Sequence, residues 1–231
     1  MSARPRSPRG TGGRLRTEII TATRELLERT GNVDAVSIRA VAGRVGVSAP
    51  SIYRHFADKD ALIEAAVAEV FEALNTAMQA AVDPDDPPAL RLRRLGLAYI
   101  RFALDHPEQY RLATIPTHTS GAVDLVLTSG AFRYFAATIE EAMADGLVDS
   151  GDPTPLVLEL WAAAHGIASL LVAKPYLPWG DPMAVAERVL DAACAGHVLT
   201  ELIGPEATPA EMTQWLTELR NQVRGTGSAP D

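Results

Sequence analysis

The chain has 231 residues, of which 47% are hydrophobic and 22% charged, and this composition excludes a wholly disordered or fibrous protein. Its single cysteine, Cys194, cannot form an internal disulfide, which favours a reducing compartment and predicts a cytoplasmic protein. The basic start lacks the apolar run of a secretory signal, and the longest apolar stretch, 156–172, is interrupted by a glutamate, a histidine and a glycine. We therefore predict neither secretion nor a membrane span.

The net charge of −8 is unevenly distributed along the chain. Residues 1–60 hold 11 basic and 6 acidic side chains, which gives a net charge of +5. Residues 61–231 hold 10 basic and 23 acidic side chains, which gives a net charge of −13. Such an asymmetry indicates an anionic partner for the N-terminal quarter. The alternative is a basic disordered tail that binds nothing, because five arginines precede residue 17.

The first predicted helices are short and have clear boundary signals. Apolar residues recur at helical spacing from residue 17 to about 30, and Gly31 follows. Ser37 is the expected N-cap of a second helix at 38–45, which ends at Gly46. Ser48 is the expected N-cap of a third helix at about 49–56, with Pro50 in its first turn. A fourth helix is predicted at 59–82 behind Asp58.

The sequence DPDDPP at residues 83–88 is the strongest helix breaker in the chain. Beyond it, helical patterns separated by proline- and glycine-rich intervals cover 89–105, 107–114, 123–145, 155–173, 183–202 and 209–224. We find no convincing β-alternation, so the predicted fold class is all-α.

The second and third helices meet at a glycine turn, Ala42-x-x-x-Gly46, which is typical of a helix-turn-helix. The third helix of such a unit lies in the major groove of DNA. Serine, tyrosine, histidine and lysine side chains suit phosphates, and arginine suits guanine. The candidates are Ser48, Ser51, Tyr53, His55 and Lys59 for phosphates, and Arg39 and Arg54 for bases. Alternatively, Tyr53 packs, His55 caps or fills a gap, and Arg54 is an ordinary surface residue.

The stretches IITATRELLERTG and VSIRAVAGRVGVSAPSIYRHFADKDALIEA resemble the DNA-binding domain of TetR-family transcriptional regulators. The family pattern, an aromatic-x-[His/Tyr]-Phe element followed by a lysine and a leucine, falls on Tyr53, His55, Phe56, Lys59 and Leu62. The resemblance implies that one set of residues faces the groove, namely Arg39, Ala49, Pro50, Ser51 and Arg54. It implies that Ser48, Tyr53, His55 and Lys59 hold phosphates. The arginine-rich tail either enters the minor groove or, as we prefer, stays solvated.

The segment LWAAAHGIASLLV, at 160–172, is similar to a Trp-x-x-x-His-Gly element of one group of TetR-like C-terminal domains. Trp161 and His165 share one helix face and are candidates for a pocket lining, although His165 is also readily explained as a satisfied core histidine. Aromatic residues at helical spacing complete the candidate ligand-binding set, which is Tyr99, Phe102, Tyr110, Phe132, Phe135, Trp161 and His165. The alternative is that these aromatics are ordinary core residues, which is the commoner case.

The expected organisation is a disordered basic tail at 1–14, a helix-turn-helix DNA-binding domain at 15–62, a C-terminal ligand-binding and dimerisation domain at 63–224 and a disordered tail at 225–231. The family resemblance implies that the helices at 155–173 and 183–202 form an intersubunit four-helix bundle. A two-turn recognition helix reads few base pairs, which itself favours a homodimer on paired half-sites.

Enzymatic motifs are not apparent in the sequence, and the Cys194/His197 spacing is more often incidental than catalytic. We therefore expect no enzyme activity, cofactor or metal. The prediction is a dimeric TetR-like regulator, a repressor released from a palindromic DNA operator by a small-molecule effector. The alternatives are an all-α small-molecule-binding protein or enzyme with a non-functional helix-turn-helix, an activator, and a ligand-independent regulator.

Overall fold

The structure is a computed structural model, and it describes residues 12–114, 130–204 and 206–226. Within these ranges the chain forms α-helices, one 3-10 turn and no β-strand, so the all-α prediction is confirmed. The helices are α1 Gly12–Thr30, α2 Ile38–Val45, α3 Ala49–Tyr53, α4 Lys59–Ala80, α5 Pro88–Asp105, α6 Pro107–Thr114, α7 Gly130–Ala144, α8 Thr154–Ala173, α9 Pro182–Ile203 and α10 Pro209–Thr226.

The first helix begins earlier than predicted, because residues 12–14, assigned to the disordered tail, form its first turn. Arg14 Nε donates to Glu18 Oε1 at 3.0 Å, an i,i+4 pair that supports this turn. The last helix likewise extends to residue 226, two residues into the predicted C-terminal tail. The remainder of the basic tail, and residues 123–129 of the helix predicted at 123–145, lie outside the described residues.

The boundaries of α2 and α4 follow the predicted capping signals. Ser37 Oγ accepts the Ala40 N–H at 3.2 Å, and Asp58 Oδ1 accepts the Ala61 N–H at 2.8 Å. Gly46 ends α2 in the left-handed region, with φ 77°. A 3-10 turn, Val33–Ala35, was not predicted; Asn32 caps it by accepting the Asp34 N–H at 2.8 Å.

The predicted third helix at 49–56 is too long, since α3 ends at Tyr53. The N–H of His55 bonds back to the Ile52 carbonyl at 2.8 Å, which tightens the last turn into a 3-10 geometry. Phe56 then turns into the core with 5% of its surface exposed. Burial of this ring therefore ends the helix before it completes a second turn.

One hydrophobic core runs from the N-terminal helices into the C-terminal ones. Its buried members include Ile19 of α1, Ile52 of α3, Val70 of α4 and Ile100 of α5. The long helix α4 packs against α1 on one side and against α5 and α7 on the other. A domain boundary at 62/63 stays a prediction, because α4 starts before it and contributes to the core on both sides.

The C-terminal part is a bundle in which α5 packs against α7, α8 and α9. Arg91 of α5 is buried and ion-paired to Glu141 of α7, and its Nε donates to the Asp86 carbonyl at 3.0 Å. Within the described part of the chain, only α8 is long and apolar enough to span a membrane, with a mean hydropathy of 1.8. Length and composition are weak evidence for a span, and here α8 is a helix of the bundle.

Candidate DNA interface and effector cavity

The nine residues predicted to contact DNA lie on α2, on α3, in the turns beside α3 and at the first position of α4. Five of them are exposed, namely Arg39, Ser48, Pro50, Tyr53 and Arg54. The other four are half-buried, namely Ala49, Ser51, His55 and Lys59. Tyr53 exposes 55% of its surface although it is a large aromatic residue. Packing within the protomer therefore does not explain Tyr53, whereas the intermediate burial of His55 agrees with either reading.

Polar side chains on α3 form a short chain of hydrogen bonds. The hydroxyls of Ser48 and Ser51 are 2.9 Å apart, and Arg54 Nη2 donates to Ser51 Oγ at 3.1 Å. Ser48 occupies the N-cap position, as predicted, but its side chain makes no capping bond. Ser48 and Arg54 are exposed and Ser51 is half-buried, so these groups can exchange their mutual bonds for phosphate or base contacts.

The α3 surface is held in place by contacts that sequence reasoning missed. Ile52 is fully buried on the inner side of α3. The guanidinium of Arg16 in α1 lies 5.2 Å from the centroid of the Phe56 ring, a cation–π contact just after α3. Arg44 of α2 is ion-paired to Glu25 of α1. A helix of five residues has little stability of its own, so this packing fixes its orientation.

A small apolar cavity of about 40 Å³ lies within the C-terminal bundle. Five helices, α4, α5, α7, α8 and α9, contribute to its wall. The lining residues are Met78, Leu92, Arg93, Gly96, Tyr99, Phe135, Leu160, Trp161, Ala164, Leu190 and Cys194. One water needs roughly 10–15 Å³ of such space, so the cavity has room for about three waters. Larger depressions, such as one of about 670 Å³ beside Glu25 and Arg44, are open and polar, so they suit a buried effector less well.

Four of the predicted ligand-binding residues meet at one edge of this cavity. His165 Nδ1 lies 3.0 Å from the Tyr99 hydroxyl and 2.9 Å from the Tyr110 hydroxyl. The Tyr110 hydroxyl is also 2.8 Å from Ser169 Oγ, which is 3.3 Å from His165 Nε2. The Trp161 and His165 rings are 5.4 Å apart. Ser169 is the member of this cluster that sequence reasoning missed; its position four residues after His165 was the available signal.

Burial keeps the hydrogen-bonding groups of the cluster neutral. Desolvation lowers the pKa of His165 from its ordinary 6.5, which favours the uncharged imidazole. Desolvation likewise raises the pKa of Tyr99 and of Tyr110 above the ordinary 10, so both phenols stay protonated. The cluster therefore offers hydroxyl donors and a neutral acceptor to the cavity, but no charge.

Three of the seven predicted ligand residues line the cavity directly: Tyr99, Phe135 and Trp161. Tyr110 and His165 lie behind them, whereas Phe102 is buried against the His106 ring, with centroids 5.0 Å apart. Phe132 packs on a separate cluster around Ile139 and Val157. Phe102 and Phe132 thus lie away from the cavity wall.

Cys194 and His197 do not act as a pair. Cys194 lines the cavity, and burial raises the pKa of its thiol. His197 Nδ1 lies 2.9 Å from Glu159 Oε2, and its Nε2 lies 3.1 Å from Glu201 Oε1. Across 12–114, 130–204 and 206–226, no group of three or more histidine, cysteine or acidic residues has an arrangement that could hold a metal ion.

Two family models match parts of the chain. Residues 19–66 match the family described as bacterial regulatory proteins, tetR family, and residues 92–193 match the tetracyclin repressor-like, C-terminal domain. The two matches together cover more than half of the chain and contain the helix-turn-helix and most of the cavity lining. Both matches are to models of TetR-type proteins, and the protein therefore belongs to the TetR family.

Individual relatives are distant. Nucleoid occlusion factor SlmA of Photobacterium profundum is 28% identical over 99 residues, 43% of this chain and 50% of that protein. The chain thus spans about half the length of the curated relatives it matches first. A solved protein of unknown function from Rhodococcus sp. RHA1 is 29% identical, with a TM-score of 0.65 over 80% of this chain and 95% of the other. A TetR family protein from Vibrio parahaemolyticus shares the fold at 22% identity, with a TM-score of 0.64 over 78% and 97% of the two chains.

Proposed function

We propose that the protein is a dimeric, non-enzymatic repressor of the cytoplasm that binds a palindromic operator through α3 and is released by a small molecule bound in the C-terminal cavity. The observation that carries the proposal is the exposed polar surface of α3, positioned by the left-handed turn at Gly46 in a chain of the TetR family. Its DNA contacts are the nine residues Arg39, Ser48, Ala49, Pro50, Ser51, Tyr53, Arg54, His55 and Lys59.

Base and phosphate contacts divide between two kinds of residue. Arg39 and Arg54 carry guanidinium groups at exposed positions, and these make bidentate bonds to guanine. Ala49 and Pro50 offer only apolar contact, which suits thymine methyl groups. Tyr53 and Lys59 contact phosphates, so their loss weakens binding to every sequence alike.

Dimerisation through α8 and α9 is supported by an exposed row of small and apolar residues. Leu158, Ala162, Gly166 and Leu170 follow one another at a spacing of four residues along α8, and all four are exposed in the protomer. On α9, Ala192 and Gly196 are exposed as well. Small residues allow helices of two subunits to approach closely, and burying this row removes apolar surface from water.

Transmission of the effector signal is supported by the position of α6. Its Tyr110 contacts His165 at the edge of the cavity, and the same helix packs against α1 and α4. An effector that prefers one position of α6 shifts the protein toward that state. Release follows when the preferred state holds the two α3 helices at a spacing that does not fit adjacent major grooves.

A mobility-shift assay on the DNA upstream of the gene tests the DNA-binding part. We expect a salt-sensitive complex that the double substitution Tyr53→Ala/Lys59→Ala weakens at least tenfold, because it removes two phosphate contacts per subunit. The matched control is Tyr176→Ala/Lys174→Ala, which removes the same chemistry and charge from a surface remote in sequence, where Tyr176 is 74% exposed. Equal weakening by the two double variants would contradict the assignment.

Sedimentation at micromolar concentration tests the dimer. We expect the wild-type chain to sediment as a dimer and Ala162→Glu to sediment as a monomer, because two buried carboxylates cannot be paired at the subunit contact. Ala137→Glu, on the exposed side of α7, is the matched control and stays dimeric. A wild-type monomer, or dissociation caused equally by both substitutions, contradicts the proposed interface.

A further inference from the structure

Two tyrosine hydroxyls of the cluster at the edge of the cavity share one acceptor, His165 Nδ1. The Tyr99 and Tyr110 hydroxyls both lie within 3.0 Å of His165 Nδ1. Because both phenols lie at Nδ1 and the Ser169 hydroxyl lies 3.3 Å from Nε2, we assign the ring proton to Nε2, which leaves Nδ1 a single lone pair. Two hydroxyls therefore compete for one acceptor, and only one of them can make a straight bond to it at a time.

The two tyrosines differ in their alternatives. The Tyr110 hydroxyl also reaches the His165 carbonyl at 3.3 Å and Ser169 Oγ at 2.8 Å, so it has an acceptor whether or not it holds Nδ1. Tyr99 lines the cavity and Tyr110 does not. The Tyr99 hydroxyl can thus turn to an acceptor in the cavity while Tyr110 takes over Nδ1, and no buried group loses its partner.

The cavity wall also selects against charge. Arg93 is the charged member of its lining, and this guanidinium already lies 3.0 Å from Asp191 and 3.4 Å from Glu187. The other lining residues are apolar or uncharged, and burial holds His165 and both tyrosines in their neutral forms. A charged ligand would lose its hydration here without gaining a counter-ion.

We infer that the effector is a small uncharged molecule with an apolar body and one acceptor oxygen, such as a ketone, ester or lactone, and that this oxygen receives the Tyr99 hydroxyl. The inference rests on the proposed function, in which an effector occupies this cavity. A body of one ring exceeds the room for about three waters. Binding it therefore requires the wall to yield, and Met78, the unbranched apolar side chain of the lining, is the one best able to change rotamer.

Four compounds of similar size test the chemistry by calorimetry on the full-length protein: acetophenone, ethylbenzene, benzoate and 1-phenylethylammonium. We expect acetophenone to bind about fivefold more tightly than ethylbenzene, the usual effect of one net hydrogen bond. We expect both ions to bind at least tenfold more weakly than acetophenone. Tighter or equal binding of either ion overturns the inference, and so does the absence of saturable acetophenone binding.

Substitutions locate the donor. Tyr99→Phe abolishes the preference for acetophenone over ethylbenzene, and Tyr110→Phe reduces it, because the exchange then leaves Nδ1 unpaired. Tyr176→Phe, the matched control at an exposed site, leaves the preference unchanged. A preference that survives Tyr99→Phe overturns the assignment of the donor.

The mobility-shift assay on ligand-free protein separates this inference from the proposed function. A protein that binds its upstream DNA but shows no preference for the ketone refutes the effector chemistry alone. A protein that prefers the ketone but does not bind DNA supports the effector chemistry and refutes the repressor.

Discussion

Replacement of each of two neighbouring glycines by alanine should change stability in opposite directions. Gly46 has φ 77°, whereas Gly43 lies inside α2; an added Cβ meets no atom within 4 Å at either position. Steric crowding therefore contributes nothing, and backbone conformation decides both effects. Gly46→Ala forces a side chain into the left-handed region, which costs about 1 kcal/mol. Gly43→Ala removes a glycine from an exposed helix interior and stabilises by about 0.5–1 kcal/mol.

Urea titration of both variants at one fixed protein concentration measures the difference, because the stability of a dimer depends on concentration. We expect the two free energies of unfolding to differ by about 2 kcal/mol. Gly46→Ala should also weaken operator binding, because relief of the strain rotates α3 away from the groove. Equal stability of the two variants, or a stabilising Gly46→Ala, would refute the assigned role of the turn.

Three further predictions concern single side chains. Asp58→Ala removes the cap bond to the Ala61 N–H at 2.8 Å, so urea titration should show a free energy of unfolding lower by about 1 kcal/mol. An unchanged free energy of unfolding would show that the cap is dispensable. Gly96→Ala places a Cβ 2.9 Å from Leu190 Cδ1, which pushes that side chain into the cavity; calorimetry should show weaker acetophenone binding, with operator affinity unchanged. Because burial lowers the pKa of His165, the unfolded chain takes up its proton at a higher pH than the folded one. Stability from this group is complete above about pH 6.5 and falls below it by up to about 1.4 kcal/mol per pH unit. His165→Asn should remove this dependence from the urea midpoint, and an unchanged pH profile would contradict it.

Local signals were sufficient to predict most of the helices. The caps at Ser37 and Asp58 and the stop at Gly46 depend on residues within four positions of each helix end, so the sequence displays them directly. The end of α3 was misplaced because it depends on burial of Phe56 against other helices, which no local pattern reports. The 3-10 turn after α1 was missed although its cap, Asn32, is a local signal.

The candidate cavity was only partly predictable. Helical spacing identified Trp161 and His165 as neighbours, and their rings are indeed in contact distance. The meeting of Tyr99 and Tyr110 at a single nitrogen of His165 depends on how α5, α6 and α8 pack, and these contacts join residues 55 and 66 positions apart. Sequence reasoning could list the aromatic residues, but it could not separate those that face the cavity from Phe102, which fills the core.

Hydroxyl-radical footprinting on the DNA upstream of the gene tests the central claim most directly, because it reports both the interface and the dimer. We predict two protected patches on one face of the duplex, separated by about one helical turn or a multiple of it. Both patches should disappear together in Tyr53→Ala/Lys59→Ala. A single protected patch, or two patches that persist in this variant, would contradict a dimer that binds DNA through α3.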